Sequence, residues 1–217
     1  MDRAKPICVH FFIFSMKVSI IIPVYNQEHL VIRALDSIPQ RDDIEIIVCD
    51  DASADRTVPN VSAWSKNHPN VQLRLLRNET NRGVGYARNR CIDECTGDYI
   101  YGLDADDYLY TELFEKALEH LDGTGLVYVA GVSDDGFKWI PSEWNKYEWG
   151  AFWLKFVRRN LTDGIRCPST RFAEDRDFTA KILAKDPSIK RTGITCYHYT
   201  HPRRGSLCYI ENYGTDA

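Results

Sequence analysis

The chain has 217 residues, 44% of them hydrophobic, and a formal charge of −4. That suits one domain with a substantial core, and the mild negative charge excludes a general pull towards nucleic acid or anionic membrane. No run approaches the roughly 18 apolar residues of a membrane span, and the seven cysteines, with no CxxC pair, read as reduced and mostly buried thiols.

Residues 1–15, with the apolar run 8–14, read as an extension before the domain, either an extra edge strand or an upstream addition. The β-branched run from Val18 predicts a central strand stopping at Pro23. Leu30, Val31, Ala34, Leu35 and Ile38 recur at helical spacing up to Pro39. A second strand over 44–49 leads through Asp50-Asp51-Ala52-Ser53 into a helix carrying Val58, Val61 and Trp64, with Pro59 near its start. A third strand over 71–76 precedes a helix marked by Val84, Ala87, Cys91 and Ile92. A strand over 99–103, an acidic turn, a helix carrying Leu113, Phe114, Ala117, Leu118 and Leu121, and a strand over 125–130 follow. This alternation predicts an α/β fold with a mostly parallel central sheet and helices on both faces.

Beyond Gly131 the pattern loosens. Trp149 and Trp153 are four apart, which predicts a shared helix face; Trp139, Trp144, Trp149 and Trp153 could stack on a sugar or fill a small second layer. A last helix holds Phe178, Ile182 and Leu183, and a late strand or its exit holds Tyr197, His198, Tyr199 and His201.

Asp104, Asp106 and Asp107 crowd the turn after the 99–103 strand. Such a cluster is either a solvated acidic turn or a place for a divalent cation carrying phosphates, because hard cations take oxygen ligands. Ligands of open parallel sheets bind beyond the carboxyl ends of strands, where the clusters after Val24, Cys49 and Leu103 all fall. Asp51 could cap the following helix or face a ligand, and Arg88 could face phosphate, be solvated, or with Asn89 stabilise the sheet edge.

Four motifs in order resemble the inverting glycosyltransferase family 2, which has the GT-A fold. They are Ile21-Ile22-Pro23-Val24-Tyr25-Asn26, Val48-Cys49-Asp50-Asp51-Ala52-Ser53, Asn81-Arg82-Gly83-Val84-Gly85-Tyr86-Ala87-Arg88-Asn89 and Leu103-Asp104-Ala105-Asp106-Asp107, with Phe172-Ala173-Glu174-Asp175 extending the match. The resemblance implies a GT-A domain over 16–217, with a donor half over 16–110 and an acceptor half with a closing C-terminal segment over 111–217. It implies donor contacts at Pro23, Tyr25, Glu28, Asp51, Asn81, Gly83, Arg88, Asp104 and Arg203, with Asp51 reading the base. Asp106 and Asp104 would hold Mn²⁺ or Mg²⁺, with His198 as a further candidate ligand, and Asp175 would be the general base. Ala52 departs from the family's usual glycine, a mild change if its φ is negative.

The expected partners are a nucleotide-diphosphate sugar, UDP-linked by preference, and a glycan or lipid-linked acceptor, with no nucleic acid and no integral membrane segment. The expected setting is the cytoplasm, with the basic loop 202–205 available to touch an acceptor at the inner membrane face. Homodimerisation stays open. If a helix begins near Glu174, Glu174 and Asp177 share a face and Asp175 points elsewhere. A nucleotidyltransferase is disfavoured because the loop after the first strand lacks glycine and a base; a non-catalytic sugar-nucleotide binding protein of the same fold is the other alternative.

Overall fold

Strand β1 (Val18–Val24) is buried along its whole length and lies between parallel neighbours β2 (Ile44–Asp50) and β4 (Tyr99–Gly102). The structure is a computed structural model that describes residues 15–141, 150–170 and 174–200. Residues 1–14, Trp144, Trp149, Phe172, Ala173, His201 and the loop 202–205 with Arg203, which carry several of the sequence expectations, lie outside the described residues. Pro23 does not end β1 but sits inside it, opposite Cys49. The β4 ladder reaches only to Ile21, so Pro23 has a single neighbouring strand and its missing N–H costs no bond on the open side.

Strand β3 (Gln72–Arg77) pairs with β2 on the outside, half exposed as an edge strand should be. Chain direction across the sheet reverses at β1, which forces the connecting helices onto opposite faces. Helices α1 (Val31–Asp36) and α2 (Thr57–Asn67) bury Val31, Leu35, Val61 and Trp64 against Ile20, Ile22, Ile46 and Val48. Helix α3 (Val84–Glu94) buries Ala87, Cys91 and Ile92 against Ile21, Ile47 and Ile100 on the other face. Such a reversal opens a crevice at the strands' carboxyl ends.

The second half corrects the expectation of a mostly parallel sheet. The order is β3-β2-β1-β4-β8-β6-β9-β5, with β7 (Lys138–Trp139) hairpinned onto β6 (Leu126–Ser133). Strand β8 (Lys155–Arg158) runs antiparallel between β4 and β6, and β9 (Ile189–Tyr199) is parallel to β6 but antiparallel to β5 (Tyr108–Leu109). Strand β8 is only four residues long and follows the aromatic 3₁₀ turn Phe152–Leu154, so no run of alternation announces it. Trp153 therefore sits in that turn, not on the helix expected from its spacing to Trp149. Helices α4 (Thr111–Leu118) and α5 (Glu174–Leu183) complete opposite layers, Phe114 packing on the α1 side and Phe178 on the α3 side.

Candidate active site

Two loops at the carboxyl ends of β1 and β2 are stitched together by side chains that cap each other's backbone. The Asn26 amide donates to Ser53 Oγ (2.8 Å), Ala54 N to Asn26 Oδ1 (2.9 Å), and Gln27 N to Thr57 Oγ1 (2.8 Å). Glu28 accepts from the backbone N of Arg56 (2.8 Å) while its own amide donates to Asp55 (3.0 Å), so its carboxylate sits at the start of α2. Beside this seam, at the end of β1, Tyr25 is 46% exposed.

Asp51 is buried and does not cap α2. Its Oδ1 accepts from Asn78 Nδ2 (2.6 Å) and Arg82 N (3.0 Å), and its Oδ2 from Gly83 N (2.7 Å). The carboxylate thus braces the loop that starts α3, where free amides and the helix dipole favour a negative charge. Gly83, with φ +90°, provides the left-handed turn this requires, while Asn81 lies exposed on its rim. Ala52 has φ +64°, against the condition under which its replacement of glycine would be mild. An L residue there is held in a strained region by the bonds on either side of it.

Arg88 is neither solvated nor at a sheet edge. It is 5% exposed, one guanidinium nitrogen 2.8 Å from Asp104 Oδ1 and another paired with Glu174. Asn89 next to it exchanges two bonds with the backbone of Cys167, tying the 160s loop to α3. Gly85 makes this approach possible, since a Cβ there would lie 2.6 Å from the Pro168 carbonyl oxygen. Burial raises Glu174 above the usual carboxylate range, against the pull of Arg88.

The acidic turn is anchored from beneath. Asp107 is 1% exposed and accepts from Tyr197 Oη (2.5 Å) and Thr200 N (2.8 Å), and burial pushes it up to about 9. Arg33 donates to the Asp106 carbonyl and to Thr200 Oγ1 (2.7 Å), so α1, the turn and the end of β9 are locked together. Asp104 is also raised, first by burial, with Arg88 opposing and Asp106 adding to the shift. A divalent cation between Asp104 and Asp106 would relieve that repulsion, and two carboxylates completed by phosphates and water match the donor set of Mg²⁺ or Mn²⁺. Among the described residues no group of three or more His, Cys, Asp or Glu is arranged around one cation position, so the pair would rely on the donor's phosphates. His198 has Nε2 2.6 Å from Asp134 and Nδ1 2.8 Å from the Tyr110 hydroxyl, and its ring stacks on Tyr108. With both nitrogens so engaged it is a strut between β9 and β5, with neither nitrogen turned to the acidic turn.

Helix α5 begins at Glu174, yet Glu174 and Asp177 do not share an environment. Glu174 is buried against Arg88, Asp177 is exposed and pairs with Lys181 (2.6 Å), and Asp175 is half-buried between them. Lys155, on β8, lies in the electrostatic field of both Asp175 and Arg88, and nothing in its local sequence marks it for burial. Asp107 and Glu174 were legible as carboxylates, but their partners Tyr197 and Arg88 lie 90 and 86 residues away in the chain. Of the tryptophans, Trp153 is core, stacked on Tyr197 at 4.3 Å between centroids. Trp139 packs edge-on to it at 5.2 Å and also against Phe137, which is 58% exposed.

The family model of glycosyl transferase family 2 matches residues 19–178. A poly(ribitol-phosphate) beta-glucosyltransferase of Bacillus spizizenii is 39% identical over 218 residues, covering 90% of this chain and 34% of that protein. The chain thus spans about a third of that relative's length, and 23% of an Escherichia coli chondroitin synthase that is 31% identical over 76% of this chain. Staphylococcus aureus TarS 1–349 in complex with UDP-GlcNAc superposes with a TM-score of 0.75 at 24% identity, covering 89% of this chain and 61% of that one, a likeness of fold.

Proposed function

The chain belongs to glycosyl transferase family 2, and from that premise we propose that it is an inverting, metal-dependent glycosyltransferase. It would move a sugar from a nucleotide donor, UDP-linked by preference, to a hydroxyl of a glycan or lipid-linked acceptor in surface polysaccharide synthesis. The named activities of the glucosyltransferase and chondroitin synthase relatives support the reaction class, and the UDP-GlcNAc complex of TarS supports the donor type. The observation that carries the reading is Arg88, which bridges Asp104 on the acidic turn to Glu174 at the head of the helix bearing Asp175. That bridge ties the acidic turn to the head of α5, which supports reading them as the donor and acceptor sides of one crevice.

In this reading residues 16–110 bind donor and residues 111–217 bind acceptor. Tyr25 offers its exposed ring to the base, and Pro23, Asn81 and Gly83 shape the loops around it. Asp51 reads the base edge from beneath the loop it braces, and Glu28 keeps the β1 loop in place near the donor. Asp106 and Asp104 would hold Mn²⁺ or Mg²⁺, which would supply neutralisation of the departing diphosphate. Asp175 takes the proton of the acceptor hydroxyl as that oxygen attacks the anomeric carbon opposite the leaving group, so the centre inverts. Arg203, outside the described residues, would close on the diphosphate. No described helix is long and apolar enough to cross a membrane; the five described cysteines are free and buried, which supports a reducing cytoplasmic setting.

The test is a screen of nucleotide sugars for transfer or hydrolysis with Mn²⁺, run on wild type and Asp175→Asn. The expected result is one donor class turned over by wild type, with Asp175→Asn binding UDP normally but inactive. An active Asp175→Asn would remove the base from the mechanism.

A further inference from the structure

We propose that Arg33 is a positioning residue for the turn that holds the cation, acting through the main-chain carbonyl of Asp106. The proposal rests on the reading of Asp104 and Asp106 as the cation's carboxylates and deepens it. Arg33 stands in the last turn of α1, outside every motif from which the site was read. The turn itself is held from below. Asp107 is buried, its Oδ2 accepting from Tyr197 Oη (2.5 Å) and its Oδ1 from Thr200 N (2.8 Å). The same Tyr197 oxygen accepts from Asp104 N (3.3 Å), and Asp107 N closes the turn on the Asp104 carbonyl (3.0 Å).

These bonds fix both ends of the turn. The Asp106 carbonyl lies between them, and Arg33 takes it. One terminal nitrogen of the guanidinium donates to that carbonyl and to Thr200 Oγ1 (2.7 Å), with the guanidinium carbon 4.8 Å from the Tyr108 ring centroid. The helix that carries Arg33 is docked as well: Leu109 N donates to Ser37 Oγ (3.0 Å) and Thr111 Oγ1 to the Ser37 carbonyl (2.9 Å). Because a peptide unit is planar, a held carbonyl oxygen fixes the whole plane between Asp106 and Asp107. That plane in turn sets the direction in which Asp106 leaves the turn. Carboxylates this close repel one another and would spread the turn, and a cation binds more weakly when its ligands must first be gathered. Both acceptors of Arg33 are neutral oxygens, so its positive charge stays available to offset that repulsion, whereas Arg88 is divided between two carboxylates.

The test is calorimetry of UDP with and without Mn²⁺, joined to hydrogen exchange of the Asp107 amide in the protein free of both. Arg33→Met keeps an unbranched stem and removes the donors. It should weaken UDP binding with Mn²⁺ by roughly tenfold and leave the metal-free affinity within roughly twofold of wild type. Exchange at Asp107 should speed up by roughly tenfold. Thr200→Val keeps the Thr200 amide on Asp107 but removes one acceptor of the guanidinium. It should lower the Mn²⁺-dependent gain by roughly threefold, and it carries the test if Arg33→Met does not fold. An unchanged Mn²⁺-dependent gain, or unchanged exchange at Asp107, would overturn the proposal. Equal losses with and without Mn²⁺ would also overturn it, since Arg33 would then be a contact of the diphosphate itself. Asp106→Asn separates the two readings: a wild-type Mn²⁺-dependent gain in that variant defeats the metal assignment, while exchange at Asp107 still decides whether Arg33 holds the turn.

Discussion

Lys155→Met should make the protein more stable at neutral pH, and the gain should fade as pH rises. Burial drives Lys155 down from 10.5 to about 7, with Asp175 pulling it back and Arg88 pushing it further down. A lysine with a lowered folded-state value binds more protons when unfolded, so its contribution to stability is best above about 10.5 and is lost as pH falls towards about 7. At 1.36 kcal/mol per unit the full shift is worth about 5 kcal/mol, of which roughly 4 applies at pH 7 and about 2 at pH 9. Against this stands the lost bond to the Ala151 carbonyl, about 1 kcal/mol. That oxygen still accepts from the Leu154 amide (3.3 Å), so it is not left unpaired. Methionine keeps an unbranched chain in the same slot. Urea unfolding should therefore find the variant more stable by about 1–3 kcal/mol at pH 7, an advantage smaller by about 2 kcal/mol at pH 9. A variant less stable than wild type by the same amount at both pH values would refute the argument, since it would mean that Lys155 contributes packing and not a desolvated charge.

Ala52→Gly should raise stability by about 0.5–1 kcal/mol, since it removes roughly 1–2 kcal/mol of left-handed strain at φ +64° and returns some unfolded-chain entropy; an unchanged or lower melting temperature would count against strain at that position. Asp106→Asn should abolish Mn²⁺-dependent UDP binding in calorimetry while the fold stays intact, and wild-type affinity would sink the metal assignment. Asp51→Ala should lose about 2–3 kcal/mol of stability, because the Arg82 and Gly83 amides lose their acceptor, and should also weaken UDP binding measured without metal. A variant with normal stability would show that those amides find water instead.

The parallel donor half was readable from the chain because its elements are local in sequence. Strands β1, β2 and β4 are short, largely apolar runs and β3 carries Leu73, Leu75 and Leu76 among polar residues, each helix shows its face at a spacing of three or four, and the turn residues between them announce their positions. The carboxylates of the site were readable for the same reason: Asp51, Asp104, Asp106 and Asp175 each follow or open such an element. What each of them touches was not. Asp51 reads equally as a cap of α2 until the fold sets it beneath Arg82 and Gly83. Glu174 and Asp177 look alike by helical spacing, yet one meets Arg88 across the interior and the other meets Lys181 in solvent.

By itself, the sequence determined the alternation of strands and helices, the two-sided burial of the central sheet and the presence of an acidic turn at a strand's carboxyl end. Those follow from hydrophobic periodicity and turn chemistry, which act over a few residues. Only the tertiary structure decided that β8 is inserted antiparallel beside β4, that Arg88 links Asp104 to Glu174, that His198 is a strut, and that Lys155 lies buried with its ammonium on the Ala151 carbonyl. Each of these is a pairing between residues far apart in the chain, and its energy depends on burial. A lysine or a carboxylate carries the same charge wherever it stands in the sequence; the surrounding dielectric and the nearest opposite charge, which only the folded chain supplies, determine what that charge does.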